Sequence, residues 1–439
     1  MMADTTKKQR LISLDAFRGL TIAGMMLVNY PGSWSHVYRP LLHAEWNGWT
    51  PTDWIFPFFL FIMGVAMALS LRVRIEAVEN KAAVWVKILK RTLLLFGLGL
   101  VLSAFRTYDV SLTRFLIIAL VLIVLGGSVL LYLRFRYQTP DERSAVAQSM
   151  VSGSIPFVII GIVLAGFYSF NFETVRIPGV LQRIALCYLV VSAMMVLLPR
   201  SRDQWIAMSG LIVVYLAIMY LLDVPGHGRG VWTPEGHASG YIDRLVLGEV
   251  HLWSGTKIYD PEGIVTTLPA VLSTFLGLQF GKVLVREADH KERLFQWLAL
   301  GSFLTVLGVT LDFIIPINKQ LWTPTYSIFM AGFGGLFLAG CYWLIEIKGR
   351  KTWAKPFVMI GMNPLFIFWL SGFLVRNLFL LKVTTATGEV AVWSWLYTGG
   401  YAALLGTSKF SSLAFALTNV AFWLLVGWFM YRRRWFIKI

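Results

Sequence analysis

The stretch that decides the fold is residues 29–57, NYPGSWSHVYRPLLHAEWNGWTPTDWIFP, because it joins two apolar runs at 11–28 and 55–71. Both runs are close to the length at which a helix crosses a bilayer. The stretch between them is rich in Trp, Asn, Gly and Pro, which favours an ordered re-entrant or capping loop over a solvated tether. It also holds two of the six histidines, His36 and His43.

Composition predicts a multi-pass, all-α membrane protein with about twelve transmembrane helices. Of the 439 residues, 57% are hydrophobic and only 14% are charged, whereas a soluble domain carries about 25% charged residues. The third apolar run is short, so its helix either tilts little or begins inside the basic segment before it. The predicted spans are 11–29, 53–71, 92–105, 112–133, 151–170, 179–198, 205–222, 264–285, 294–314, 325–346, 357–375 and 412–431.

The distribution of Lys and Arg predicts the orientation. With the N-terminus inside, the inner segments hold 25 Lys and Arg residues and the outer segments hold 10. This positive-inside bias places both termini in the cytoplasm and His43 on the outer face. It also accounts for the net charge of +16 without nucleic acid as a partner. The first run carries Asp15 and Arg18, so we interpret it as a retained helix and not as a signal peptide.

The domain organisation is predicted to be simple. No Gly/Ser linker, low-complexity tract or tandem repeat interrupts the chain, so 1–439 is predicted as one domain. The longest outer segment, 223–263, is rich in Gly, Pro and His, and its length favours a lid or binding loop. Residues 376–411 end without strong hydropathy, which allows them to lie along the membrane interface. Cys187 and Cys341 both fall inside predicted spans and are interpreted as buried apolar residues.

Three charged residues inside spans are candidates for function because an isolated charge in lipid is costly. Asp15 and Arg18 lie three residues apart on one helical face. They are predicted to form either a structural ion pair or part of the wall of a cavity. Arg183 has no local carboxylate and needs a distant partner. Since Arg suits phosphate well, cofactor binding and a structural role both remain open for Arg183.

His43 is the candidate reaction centre. It precedes Glu45 and Asn47 and lies ten residues before Asp53. Thr52 or Asp53 is predicted to cap the second helix. His-x-Glu resembles half of a zinc motif, but no Cys-x-x-Cys follows, so no metal is predicted. A general base or a transient acyl carrier is more consistent with this histidine than a metal ligand, and an ordinary loop histidine is the open alternative.

Four further motifs place polar residues near the ends of predicted spans. Acidic residues at a helix start are either dipole partners or hydrogen-bonding groups for sugar hydroxyls. Trp with Asn and Lys is suited to carbohydrate but is also ordinary interfacial composition. The residues singled out are Asp243 and Arg244 in GYIDRLVLGEVHLW, Asp260 and Glu262 in YDPEG, Asn318, Lys319 and Trp322 in PINKQLWT, and Asn363 in GMNP. The GMNP motif is predicted to break its span, which would allow Asn363 to donate a hydrogen bond into a cavity.

Seven stretches in order resemble the transmembrane N-acetyltransferase family of heparan-α-glucosaminide N-acetyltransferase, including bacterial members tied to amino-sugar metabolism. They are SLDAFRGLTIAGMMLVNY, HAEWNGWTPTDWIFPFFLFIMG, RIPGVLQRIALCY, GYIDRLVLGEVHLW, YDPEG, PINKQLWT and GMNP. The resemblance implies that His43 is catalytic and that Asn29 lies beside it and orients the imidazole. It implies transfer of acetyl from cytosolic acetyl-CoA, across a bacterial inner membrane, to the amine of glucosamine or a short saccharide. A homo-oligomer is compatible with the sequence.

Two other functions remain open. An O-acyltransferase would use hydroxyls of a cell-surface polysaccharide in place of an amine. An amino-sugar transporter would also need ionisable groups in its spans and a cavity at the midplane. The sequence contains no P-loop, GxGxxG or GxSxG pattern. It therefore does not support a function as an ATP-binding protein, an NAD-binding protein or a hydrolase.

Overall fold

The computed structural model describes residues 11–77, 81–104, 172–287, 289–386 and 388–437. Regular structure in these residues is helical apart from one antiparallel hairpin, which confirms the predicted all-α membrane fold. The helices are α1 (Ile12–Asn29), α2 (Ile55–Ala77), α3 (Lys81–Ala104), α4 (Val180–Leu197), α5 (Ser201–Leu221), α6 (Ala238–Leu247), α7 (Ile264–Arg286), α8 (His290–Leu311), α9 (Pro324–Tyr342), α10 (Lys355–Gly361), α11 (Pro364–Leu380), α12 (Val392–Leu396), α13 (Ala403–Leu405) and α14 (Lys409–Arg432). The hairpin strands are β1 (Lys382–Thr385) and β2 (Gly388–Ala391).

Seven of the described helices are long and apolar enough to cross a bilayer, and α10 with α11 makes an eighth if the bent pair is one span. The two helices of that pair meet at 82°, so the break predicted at GMNP is confirmed. Helix α3 begins at Lys81, inside the basic segment, which was one of the two predicted alternatives. The predicted spans 112–133 and 151–170 lie outside the described residues.

Helices α2 and α7 form the centre of the bundle and touch backbone to backbone. A Cβ atom on Gly277 would lie 2.1 Å from the carbonyl oxygen of Phe61, and one on Gly64 would lie 2.0 Å from that of Thr274. Small residues allow helices in a membrane to approach this closely. Because α2 is held along its length, the residues at its outer end have a fixed position.

Three connecting segments meet on the side predicted to be outer, and we call this region the outer mouth. They are residues 30–54, 222–263 and 312–323. Trp46 Nε1 donates a hydrogen bond to the carbonyl of Trp232 at 2.9 Å, and the N–H of Gly48 donates to Ile317 at 2.7 Å. The predicted lid segment contains α6, which packs against α7. The segment 30–54, which carries His43, is therefore hydrogen-bonded to the other two segments.

The segment 376–411 begins in the last turn of α11 on this side. It contains the hairpin, α12 and a π-helical turn at Tyr397–Ala402. Leu404 and Phe410 are 84% and 58% exposed. Exposed apolar side chains suit the boundary between headgroups and acyl chains, and a position along the membrane interface stays a prediction.

Candidate active site

The centre of the outer mouth is a hydrogen bond between His43 and Asp53. Nδ1 of His43 lies 2.6 Å from Oδ1 of Asp53. The carboxylate side chain is 1% exposed, whereas the imidazole side chain is 44% exposed. Because a carboxylate can only accept, Nδ1 is the donor, and in the neutral imidazole Nε2 then keeps its lone pair. The pair therefore has the arrangement of an oriented general base.

The turn that precedes α2 places this carboxylate. Residues Pro51–Trp54 form a 3₁₀ helix in which Thr50 is the N-cap and Asp53 is its capping-box partner. Oδ2 of Asp53 accepts the N–H of Thr50 at 2.9 Å and that of Ala44 at 3.1 Å. The prediction that Thr52 or Asp53 is the N-cap is therefore wrong. A capping box satisfies two backbone donors at once, and here it leaves Oδ1 for the histidine.

Lys319 is the third group at this position. Its Nζ lies 2.8 Å from Nδ1 and 3.1 Å from Nε2 of His43, and 3.4 Å from Oδ1 of Asp53. Burial lowers the pKa of Lys319, although the neighbouring carboxylates of Asp53 and Glu262 oppose this shift. The sequence predicted Lys319 as a substrate-binding residue at the mouth. A contact with His43, 276 positions away, left no local signal.

Asn318 joins two segments of the mouth. Its Nδ2 donates to Oδ1 of Asn47 at 3.0 Å, and its Oδ1 accepts the N–H of Leu321 at 2.9 Å. The structure thus brings together two predicted residues, Asn47 and Asn318. Since Asn318 is fully buried, its contacts hold the loops in place and do not present it to a sugar.

Trp322 and Arg183 are both buried beneath the mouth. Trp322 Nε1 donates to the hydroxyl of Ser273 at 3.2 Å, and the Arg183 guanidinium lies 4.9 Å from the centre of the Trp322 ring. Arg183 Nη2 also donates to the Thr266 hydroxyl at 2.5 Å. Among the described residues, Nε and Nη1 of Arg183 have no hydrogen-bond partner. Arg183 therefore lies with the outer ends of α4 and α7, and Trp322 is too buried to stack on a sugar.

Asp260 and Glu262, for which hydrogen bonding to sugar hydroxyls was one of two predicted roles, are held by Arg176. Arg176 donates from Nε to Asp260 Oδ2 at 2.8 Å and from Nη2 to Oδ1 at 2.5 Å, and Nη2 also contacts Glu262. Burial opposes ionisation of Glu262, but Arg176 and Arg183 outweigh it and keep its pKa below the ordinary value. Arg176 opens the stretch RIPGVLQRIALCY, but no local feature of the sequence distinguishes it as a site residue.

Asp243 and Arg244 hold the lid segment together. Oδ1 of Asp243 accepts the N–H of Ile264 at 2.9 Å and so caps the start of α7. Burial raises the pKa of Asp243 to about 7. Arg244 donates to the carbonyl of Ile258. These contacts give both residues a structural role within the outer mouth.

A cavity of about 530 Å³ lies on the opposite side of the protein, between α2, α3 and α4. Four cationic residues line it: Arg18, Lys87, Lys90 and Arg91. Arg18 forms the predicted ion pair with Asp15, at 3.0 Å, and Arg18 is also part of the cavity wall. Lys87, Lys90 and Arg91 lie on the side predicted to be inner, and their spacing places them on one helical face. This inner cavity is suited to a polyanionic ligand.

Two predicted residues have other surroundings than expected. Asn363 donates from Nδ2 to the carbonyl of Trp435 at 2.8 Å and accepts the N–H of Ile437 at 2.7 Å. It thus fastens the C-terminal segment, whose Ile437 lines the inner cavity. Asn29 is an exposed residue at the end of α1. Among the described residues, the contacts of the His43 ring come from Asp53 and Lys319, so Asp53 has the orienting position expected for Asn29.

His36 lies in the same loop but has different neighbours. Its Nδ1 is 3.5 Å from the hydroxyl of Ser33, so the structure pairs only His43 with a carboxylate among these two histidines. In the part of the chain that the structure describes, no group of three or more His, Cys, Asp and Glu side chains could hold a metal ion.

The fold and the two sites define a multi-pass membrane protein with a histidine–carboxylate pair at one mouth and a cationic cavity on the other side. A family model described as Domain of unknown function (DUF5009) matches residues 10–228. Human (Homo sapiens) heparan-alpha-glucosaminide N-acetyltransferase is 28% identical over 407 residues, which cover 82% of this chain and 52% of that protein. The mouse (Mus musculus) protein of the same name is 26% identical over 478 residues, covering 98% and 60%. The chain thus spans between half and two thirds of the length of these relatives. This chain is thus homologous to heparan-alpha-glucosaminide N-acetyltransferase over most of its own length.

Proposed function

We propose that this protein is a membrane-embedded N-acetyltransferase that moves acetyl from cytosolic acetyl-CoA to the amine of glucosamine or a glucosamine-terminated saccharide on the outer face. The observation that carries the proposal is the hydrogen bond of 2.6 Å between His43 and Asp53, which leaves Nε2 as a base. The names of the two relatives support an amine as acceptor. We further propose a single domain in a bacterial inner membrane.

At the outer mouth, His43 acts as the general base. Nε2 takes a proton from the acceptor nitrogen as that nitrogen attacks the thioester carbon. Asp53 holds Nδ1 and stabilises the imidazolium that forms, as the carboxylate does in other His–Asp pairs. The buried position of Asp53 and its two backbone donors keep the carboxylate in place during the reaction. Lys319 contributes a positive charge beside the same atoms.

On the other side, the inner cavity is proposed to hold the donor. Its cations Lys87, Lys90, Arg91 and Arg18 fit the phosphates of CoA, because Arg and Lys are the usual phosphate ligands. Nε of Arg91 is buried without a hydrogen-bond partner among the described residues, as a residue awaiting an anionic ligand would be. Arg183, for which cofactor binding was one of two predicted roles, is better assigned to the acceptor side.

Helix α2 connects the two sites. Phe59 lines the inner cavity and follows Asp53 by six residues, a rise of about 9 Å along a helix. The acetyl end of a donor molecule bound in the cavity would therefore be only a short distance from His43. This arrangement favours transfer between ligands bound from opposite sides over passage of the sugar through the protein.

The test is transfer of radiolabelled acetyl from acetyl-CoA to glucosamine by purified protein, with N-acetylglucosamine as the control acceptor whose amine is blocked. We expect label on glucosamine only. Label on N-acetylglucosamine would indicate O-acylation. Accumulation of unmodified sugar in proteoliposomes without acetyl-CoA would indicate transport. Either result would overturn the proposal.

A further inference from the structure

Lys319 is a primary amine placed where the acceptor amine has to be. A general base must lie about 2.6–3.2 Å from the atom whose proton it takes, and Nζ of Lys319 is 3.1 Å from Nε2 of His43. Among the described residues, the primary amine within hydrogen-bonding distance of His43 is this one. The resting site thus already holds a base and a potential nucleophile in contact.

We propose that Lys319 is itself an acetyl acceptor, so that the protein acetylates its own Nζ when donor is bound and the sugar is absent. The inference rests on the proposed function, because it uses the same acetyl thioester and the same base. It goes beyond that function by assigning a covalent modification site to the protein. Its chemistry follows from the position of Nζ alone.

The reaction is the ordinary acetylation of an amine. The Lys319 ammonium first loses one proton to solvent, and the neutral Nζ attacks the thioester carbonyl carbon. A carbon–nitrogen bond forms, the carbon–sulfur bond breaks, and CoA leaves as the thiolate. The second proton of Nζ passes to Nε2 of His43 and then to the thiolate. The products are N-acetyl-lysine and the free thiol of CoA.

The surroundings of Nζ favour this reaction over that of a surface lysine. The Lys319 side chain is 15% exposed, and burial lowers its pKa, so more of it is neutral at a given pH. Asp53, 3.4 Å away, and Glu262 partly oppose this effect by stabilising the ammonium. Lys257 is a lysine of the same outer mouth that is exposed, and it serves as the internal comparison.

Acetylation would change the site. An amide has no charge and cannot pair with Asp53, and the added acetyl group occupies the position of the sugar amine. We therefore expect that incubation with acetyl-CoA alone slowly inactivates the protein. Glucosamine should protect it, because a bound sugar displaces Nζ from His43 and consumes the donor.

The experiment follows the acetyl group on the protein by peptide mass spectrometry. Purified protein is incubated with isotopically labelled acetyl-CoA, with and without glucosamine, and acetylation of Lys319 and Lys257 is compared over time. We expect Lys319 to react about 10²-fold faster than Lys257, the lower end of what a positioned base contributes. His43→Ala should remove this advantage and leave Lys257 unchanged. Lys319→Arg, which cannot be acetylated in this way, should keep whatever activity it has through the preincubation, while Lys257→Arg should lose activity as the wild type does.

Equal labelling of Lys319 and Lys257 would overturn the inference, because it would show uncatalysed acetylation. So would labelling of Lys319 that persists in His43→Ala, or an unlabelled Lys319 in a preparation that acetylates glucosamine. These outcomes leave the proposed function intact. If Lys319 is labelled but glucosamine is not, the proposed acceptor is wrong and the modification site stands. If neither is labelled, both proposals are wrong.

Discussion

Replacing Asp53 by Asn tests the orientation of the base with a change of one atom. Oδ2 of Asp53 accepts two backbone N–H groups, from Thr50 and Ala44. An Asn side chain must place its oxygen there, because its NH₂ group cannot accept. The NH₂ group then points at Nδ1 of His43, which has to become the acceptor. The proton moves to Nε2, and the lone pair that faces the acceptor amine is lost.

The expected effect on kcat is large and selective. Loss of the correct tautomer in a comparable His–Asp pair reduces kcat by about 10⁴, which corresponds to about 5 kcal/mol of activation free energy. We expect Asp53→Asn to lower kcat for glucosamine acetylation by about 10³–10⁴, with the Kd for acetyl-CoA nearly unchanged. The control is Asp223→Asn, which removes the same charge from a carboxylate that is 66% exposed and paired with Arg229 at 3.8 Å. A folded Asp53→Asn protein with wild-type kcat would refute this mechanism.

Four further predictions follow from the same structure. His43→Ala should lower kcat by about 10²–10⁴ with little change in acetyl-CoA affinity, while His36→Ala keeps most activity; equal losses in both variants would contradict the assignment. Joint replacement of Lys87 and Lys90 by Gln should raise the KM for acetyl-CoA more than that for glucosamine, whereas Lys257→Gln should raise neither; a change confined to the sugar KM would move the donor elsewhere. Burial raises the pKa of Asp243 from 3.8 to about 7, so its contribution to stability is complete below the unfolded-state pKa and is lost as pH rises through 7. The Tm should therefore fall from pH 5 to 8, and Asp243→Asn should reduce this fall. Parallel Tm profiles for the wild type and the variant would contradict this assignment. In a background of Cys187→Ala and Cys341→Ala, Arg229→Cys should react with an impermeant maleimide from outside and Arg350→Cys should not, and the reverse pattern would invert the predicted topology.

The sequence was sufficient for the features that depend on local composition. Apolar runs predicted the helical membrane fold, and the GMNP stretch predicted the break before α11. His43 and Asp53 lie within one loop, so their proximity was open to prediction, although Thr50 and not Thr52 proved to be the cap.

What the sequence could not supply are pairs that meet only through the packing of distant helices. Arg176 and Asp260 are 84 positions apart. In the sequence, each of them has only the features of an ordinary charged residue near a helix end. Burial is equally hidden, since Trp322 and Asn318 have the composition of a binding surface but lie inside the protein. Lys87, Lys90 and Arg91 had a periodic signal, but positive-inside bias explained the same charges without a cavity.

The backbone contact between α2 and α7 restricts how the donor can enter and leave. Two helices whose glycines meet carbonyl oxygens at van der Waals distance cannot slide or rotate against each other without first separating. We therefore expect α2 and α7 to move as one rigid body throughout a reaction cycle. The third wall of the cavity, α3, lines it with the long side chains of Lys87 and Lys90, which can change rotamer or swing outward at low cost. Exchange of spent CoA for fresh donor should then depend on the motion of one peripheral helix, and a crosslink that fixes α3 to α2 should slow turnover without altering the chemistry at the outer mouth.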